Sequence, residues 1–287
     1  MLAALSPDNP SGLLLLRTTF LSFGLVLGSF AGACAWRWPR EERVSTGRSL
    51  CPHCHSLIRW YDNIPVLSWF LLRGRCRRCR FSISPLYPFI EALTAMGFLL
   101  ALEHFAPKSL GAALAAAALL WAFIVSTVID IQYRIIPNEV TYSFLISGIL
   151  LAPWTFLGPP PSSLETHLFA ALGFPPAPIS RAALGALFGA GAIGTIRVLG
   201  RLIYKREAMG MGDVKLMAVV GAWLGLSGAF HAFFNAVLLG GLWAAFLLLF
   251  RLAGRKSYVP FGPWIAAGAA LSLFGFQTLS FFLVRIA

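Results

Sequence analysis

Two aspartates and four cysteines stand out in a chain with few other groups able to do chemistry. Only 11 Asp and Glu occur among 287 residues. Asp130 closes the apolar run Trp121–Ile129, and Asp213 follows Met209-Gly-Met-Gly212. An acid within or at the edge of a membrane is costly, and is a functional candidate for that reason. Two carboxylates at one depth can share a proton. One then acts as base toward a water while the other, protonated, polarises a scissile carbonyl. The plainer alternative is two unrelated helix-end acids, with Asp213 serving as an N-cap. Gly210 and Gly212 sharpen the paired reading, because they let another backbone approach Asp213 closely. A Gly-x-Gly-Asp string alone is a weak signal, and a second acid at the same depth strengthens it.

The two acids are expected to differ. Asp213 begins a helix, where the positive end of the dipole favours a carboxylate, so it is expected to be the resting base. Asp130 ends a helix in apolar surroundings and is expected to be the resting acid. Two further acids lie in apolar stretches. Glu103, beside His104, reads as an interface-facing residue. Glu91 follows Pro88 at the start of its span, and is divided between pairing with a loop arginine and supporting the chemistry.

Cys51-Pro-His-Cys54 and Cys76-Arg-Arg-Cys79 form a C-x2-C-x21-C-x2-C pattern. Each CxxC turn presents two thiolates to one cation, and four sulfurs suit zinc. Neighbouring arginines favour the thiolate. Four sulfur ligands leave no position open for water, so the expected zinc is structural. His53 and His55 read as bystanders. The stretch between the pairs has too little core to fold unaided, which a metal staple would remedy.

These groups sit in a chain that water cannot solvate. Hydrophobic residues make up 58% and charged residues 12%, with mean hydropathy +0.76. A soluble domain averages about 25% charged residues. The predicted architecture is an all-α polytopic membrane protein of about eight spans, at roughly 13–36, 87–106, 110–130, 139–157, 181–204, 213–230, 231–250 and 262–284. The sixth and seventh are read as two helices joined by a tight turn, where Gly228, His231 and Asn235 interrupt the apolar run. The first apolar run is too long for the core of a cleavable signal peptide.

The net charge of +12 reads as topology rather than nucleic-acid binding. Arginines crowd the loop 37–80 and recur at Arg134, at Arg197–Lys215 and at Arg251–Lys256. The positive-inside rule then puts these loops in the cytoplasm and both termini in the periplasm. The cysteines fall on the reducing side, where metal is favoured over disulfides. The external loop 158–180 holds six prolines, and an extended connection is expected there. The expected division is a first membrane helix (1–36), a cytoplasmic zinc-binding loop (37–86), and a seven-helix membrane core (87–287).

At this point the sequence resembles the type IV prepilin peptidases. The resemblance rests on Gly28-Ser-Phe30 with Arg37-Trp-Pro39, the tetracysteine loop, Asn63-Ile-Pro-Val-Leu-Ser-Trp69, Arg73-Gly-Arg-Cys76 and Tyr87-Pro-Phe-Ile-Glu91. It continues through Ile129-Asp130 with Ile136-Pro137, Gly210-Met-Gly-Asp213-Val-Lys215 and Val259-Pro-Phe-Gly-Pro263. It implies a Gly-x-Gly-Asp aspartic endopeptidase of the bacterial inner membrane, with Asp130 and Asp213 catalytic. Gly210, Gly212, Lys215 and Glu91 are expected to support the site. The implied substrates are type IV prepilins or type II secretion pseudopilins. These are cut after a Gly at the cytoplasmic membrane edge, and the new N-terminus is then methylated from S-adenosylmethionine. One departure is Asn138, where the family usually has Asp; it reads as an equivalent helix cap. The rival class is a non-enzymatic scaffold or transporter of the pilus or secretion machinery. The sequence gives no methyl-donor pocket and no oligomeric state.

Overall fold

The computed structural model describes residues 10–44, 49–205, 209–252 and 260–276. Arg48, Arg206, Arg255, Lys256, Val259 and the expected span end 277–284 lie outside the described residues. The described chain is helical, with only two isolated β-bridges. It divides into two compact units, residues 1–125 and 126–287.

The first unit contains α1 (Pro10–Arg37), the cysteine module with the short helix α2 (Leu67–Leu71), α3 (Leu86–Phe105) and most of α4 (Leu110–Tyr133). Helices α1 and α3 run antiparallel along a stripe of small residues. Gly24 faces Ala95, Gly28 faces Glu91 and Gly32 faces Tyr87. Small residues at four-residue spacing let helix backbones meet, which is how helices associate where lipid supplies no hydrophobic drive. A Cβ at Gly28 would fall 2.6 Å from the Glu91 Cα, so this contact tolerates only glycine. Arg17 and Glu103 pair at 2.6 Å, so the expected interface-facing acid has a cationic partner on α1.

The second unit holds the end of α4, α5 (Asn138–Leu150), α6 (Ala152–Thr155), α7 (Ser163–Leu172), α8 (Pro178–Tyr204), α9 (Met211–Leu249) and α10 (Gly262–Leu273). α8 packs antiparallel on the first part of α9, with Gly185 against Gly221 and Gly189 against Met217. α9 breaks at Gly225, whose φ of 69° and ψ of −174° suit a residue without Cβ. The contacts of α10 show that the chain turns back there. Its Ser272 hydroxyl donates to the Gly228 carbonyl at 2.9 Å, while Trp264 packs on Trp243. The start of α10 meets Ile136, which also packs on Gly212 at the start of α9. The expected division into two helices therefore stands, with the break at Gly225 rather than among Gly228, His231 and Asn235.

Five helical stretches among the described residues are long and apolar enough to cross a membrane: Ser11–Arg40, Leu86–Phe105, Leu110–Tyr133, Pro178–Ile203 and, taken across its break at Gly225, Met211–Leu249. α5, at 13 residues, rises only about 20 Å. Large apolar side chains point outward from these helices, among them Phe23, Leu187 and Leu202, each more than 60% exposed. A surface of that kind is solvated by lipid.

The proline-rich segment 158–180 corrects the sequence expectation. It is not simply extended, because α7 forms inside it. Ser162 accepts the Glu165 N–H as N-cap, and Gly173 closes the helix in the left-handed region. The prolines flank the helix rather than interrupt it. α7 buries Phe169 and Glu165, and the Glu165 carboxylate accepts the Arg181 Nε–H at 2.8 Å.

Candidate active site

Asp130 and Asp213 both belong to the second unit and are 6% and 5% exposed. Asp213 lies in the first turn of α9, three positions after the N-cap rather than at it. Its Oδ2 accepts the Gly210 N–H at 3.1 Å, and Gly210 is the capping residue. A carboxylate reaching back to the cap N–H satisfies a donor that the helix cannot.

Asp130 lies in the last turn of α4. Its Oδ2 accepts the backbone N–H of Gly262 at 3.0 Å, at the start of α10. A Cβ at Gly262 would fall 2.6 Å from that oxygen. Ile136 ties the parts together, lying against both Gly212 and Gly262. The two carboxylates interact electrostatically. Each acid thus accepts one N–H from the start of a helix. Asp130 ends one helix but faces the N-terminus of another, so the dipole argument for an acid–base asymmetry loses its basis. Gly262 is the residue that sequence reasoning missed. Its signal was the Gly-Pro pair in an already recognised segment.

The supporting residues divide. Gly210 and Gly212 both touch the site. Lys215 donates to the Asn138 side-chain oxygen and lies over the Tyr142 ring. Asn138 is not a helix cap, because Pro137 holds that position; its amide oxygen serves Lys215 instead. Glu91 belongs to the first unit. It pairs there with backbone rather than with a loop arginine, accepting the Val66 N–H at 2.6 Å.

The four cysteines converge, with their sulfurs all within 4.8 Å of one another. They sit on two turns of the same build, 25 positions apart in the chain. In the first, Cys51 N–H donates to Ser56 and His55 N–H to Cys51. In the second, Cys76 N–H donates to Phe81 and Arg80 N–H to Cys76. His55 and Arg80 share the left-handed conformation, and the bridges Leu50–Leu57 and Arg75–Ser82 close the two turns alike. This structural repeat was not legible in the sequence, where the turns share little beyond cysteine. His53 stacks on Phe81 and stands outside the cluster.

The thiols are not equivalent. The Ser56 hydroxyl hydrogen-bonds Cys54 at 2.9 Å and lowers its thiol to about 6. The Cys79 backbone N–H lowers Cys76. The Phe81 N–H pulls Cys79 down, but partial burial and the sulfurs of Cys54, Cys76 and Cys51 outweigh it and push that thiol up to about 12. Four sulfurs this close resist joint ionisation until a cation offsets their repulsion.

Comparison with known proteins agrees with this geometry. Residues 22–105 match the bacterial peptidase A24 N-terminal domain, and residues 117–245 match the type IV leader peptidase family. The chain is 32% identical to the type 4 prepilin-like proteins leader peptide-processing enzyme of Escherichia coli O78:H11, covering 88% of this chain and 91% of that one. It is 34% identical to prepilin leader peptidase/N-methyltransferases of Burkholderia pseudomallei (88% and 82% covered) and Dickeya chrysanthemi (88% and 90%). No solved structure gives a significant match. With relatives at this identity over nearly the whole chain, and family matches in both units, the protein belongs to the type IV leader peptidase family.

Proposed function

We propose that this protein is an integral-membrane aspartic endopeptidase that removes the basic leader of prepilins or pseudopilins after a Gly, and then methylates the new N-terminus. The carrying observation is the convergence of Asp130 and Asp213 with Gly210, Gly262 and Ile136 at one end of the second unit. Two nearby carboxylates cannot both stay ionised at low cost in apolar surroundings, so they share a proton. The charged one takes a proton from water as that water attacks the scissile carbonyl. The protonated one donates to the developing oxyanion. Each carboxylate keeps one oxygen on a backbone N–H, which fixes its orientation. The matching hydrogen bonds let either acid take the base role, and the pose of the substrate decides which.

Charge distribution supports placing the cysteine loop and the catalytic end at the cytoplasmic edge of the inner membrane, with both termini outside. A prepilin's leader would leave the lipid at that depth. The cysteine cluster fits structural zinc. A tetrahedral site with Zn–S of about 2.3 Å has sulfurs about 3.8 Å apart, and Cys51 and Cys79 stand 3.8 Å apart. Zinc there would tie the two turns together and leave the loop ordered. S-adenosylmethionine is the proposed methyl donor, in keeping with the names of the relatives. No observation favours the scaffold or transporter alternative. The test is cleavage of a prepilin by purified protein, followed by mass analysis of the product. Leader loss that vanishes in Asp130→Asn and Asp213→Asn supports the reading, and full activity in either variant removes that residue from the site.

A further inference from the structure

The first unit contains a cavity of 1310 Å3, lined by Ser29, Trp36, Val66, Trp69, Tyr87 and Glu91 among others. Ligand pockets usually measure about 300–1,000 Å3, so this one has room for a nucleoside-sized molecule together with a peptide end. Two features of its wall are unusual.

The first is Val66, with φ 62° and ψ −54°. A β-branched residue rarely enters that region. Leu67 N–H donates to the Pro65 carbonyl at 2.6 Å, which makes a tight three-residue turn of the strained kind. Strain that persists in a cavity wall points to function.

The second is Glu91, which is 9% exposed. Its carboxylate accepts the Val66 N–H at 2.6 Å and the Ser29 hydroxyl. No Lys, Arg or His side chain pairs with it among the described residues. A neutral amide oxygen has lone pairs enough for both of those donors. Holding the turn therefore does not require a charged group, and a buried charge without a counter-ion is costly. Tyr87 lies one turn before Glu91 on the same helix face, and Trp69 forms another part of the wall. A carboxylate that shares a cavity wall with aromatic rings suits an organic cation.

We infer that this cavity is the methyl-donor site, with Glu91 as the counter-charge to the positive group of S-adenosylmethionine. The inference rests on the proposed methyltransferase reading. In the transfer, the carbon–sulfur bond breaks with its electron pair left on sulfur. The methyl carbon bonds to the amine lone pair, and the nitrogen releases a proton to water. The sulfonium charge disappears in that step, so a Glu91 that faces the sulfonium loses its attraction for the spent donor, whereas one that faces the ammonium keeps it.

Binding of three probes to the full-length protein in detergent tests this. S-adenosylmethionine carries a sulfonium and an ammonium, S-adenosylhomocysteine only the ammonium, and methylthioadenosine neither. Glu91→Gln keeps an oxygen for Val66 and removes the charge. It is expected to weaken S-adenosylmethionine roughly tenfold or more, as removal of a buried counter-charge does, and to leave methylthioadenosine unchanged. Unchanged S-adenosylhomocysteine assigns Glu91 to the sulfonium; an equal loss assigns it to the ammonium. An equal loss for all three probes, or none, overturns the inference. Val66→Gly relieves the backbone strain, so the double variant Val66→Gly/Glu91→Gln no longer needs Glu91 for the turn. Continued selective loss in that variant supports the counter-charge, and restored affinity overturns it. Wild-type protein that binds none of the probes overturns the methyltransferase reading as well, whereas binding unaffected by Glu91→Gln overturns only this inference.

Discussion

Gly262 donates its backbone N–H to Asp130 Oδ2 at 3.0 Å, and any Cβ at Gly262 would fall 2.6 Å from the same oxygen. The same Cβ would meet Ile136 Cδ1 at 3.1 Å, so it has no free direction. Gly262→Ala must move either the carboxylate or the start of α10. Since a displacement of about 1 Å at a reacting group can cost on the order of 100-fold in rate, prepilin cleavage is expected to fall by about that factor. The variant should still reach the membrane at near-normal levels, which immunoblotting of membrane fractions checks.

Asp130→Asn and Asp213→Asn keep an oxygen able to accept the N–H of Gly262 or Gly210. Folding should therefore survive while the shared proton is lost. Each variant should lower the cleavage rate by at least about a thousandfold, and the double variant should be no worse than either one, because groups acting as a unit are not additive. Single-turnover cleavage measures this. A double variant far slower than both single ones would show that the two acids act independently.

Asn138→Asp converts the amide that accepts from Lys215 into a carboxylate at an exposed position. A surface ion pair is worth about 0–1 kcal/mol. Cleavage by this variant should stay within about threefold of wild type, and its melting temperature should barely move. A large gain or loss would place Asn138 in the chemistry rather than at its edge.

One bound zinc per chain is expected in the cysteine module, measurable by elemental analysis of the purified protein. Chelation should release it and expose the arginines of the loop to trypsin. Cys54→Ser or Cys76→Ser should do the same. Thiolate ligation also makes retention depend on pH. Cys54, lowered to about 6 by the Ser56 hydroxyl, is largely thiolate at neutral pH and protonates as pH falls through that value. Metal affinity conferred by that thiolate should therefore be present above about pH 6 and decline below it.

The two candidate acids were legible because acids are rare in this chain and conspicuous at the end of an apolar run. The cysteine cluster was legible from spacing alone. What completes the site was not. Gly262 reaches Asp130 across 132 positions, and nothing in local pattern links them. The reversal in α9 depends on the positive φ at Gly225, whereas sequence reading favoured the polar residues a few positions on. α7 was hidden by its flanking prolines, although the Ser162 cap and the Gly173 stop were both present in the string. Asn138 was read as a cap because its type suits one; its actual partner, Lys215, lies 77 positions away.

The Glu165–Arg181 pair allows a sharper test of what holds the proline-rich segment 158–180. The side chains are 2% and 8% exposed, and Arg181 also donates to the Pro159 carbonyl and packs over the Phe156 ring. Arg181 therefore joins α8 to α7 and to the chain that precedes α7. Glu165→Leu would bury the guanidinium beside an apolar side chain, and a broken buried pair costs about 3–5 kcal/mol. Replacing both residues, Glu165→Leu with Arg181→Met, removes both charges together and should cost much less, although the Pro159 and Phe156 contacts are lost with the guanidinium. Thermal unfolding in detergent should therefore rank wild type first, the double variant next and the single variant last. If the single and double variants melt together, the pair contributes little, and the hydrogen bond to Pro159 and the packing on Phe156 hold the segment.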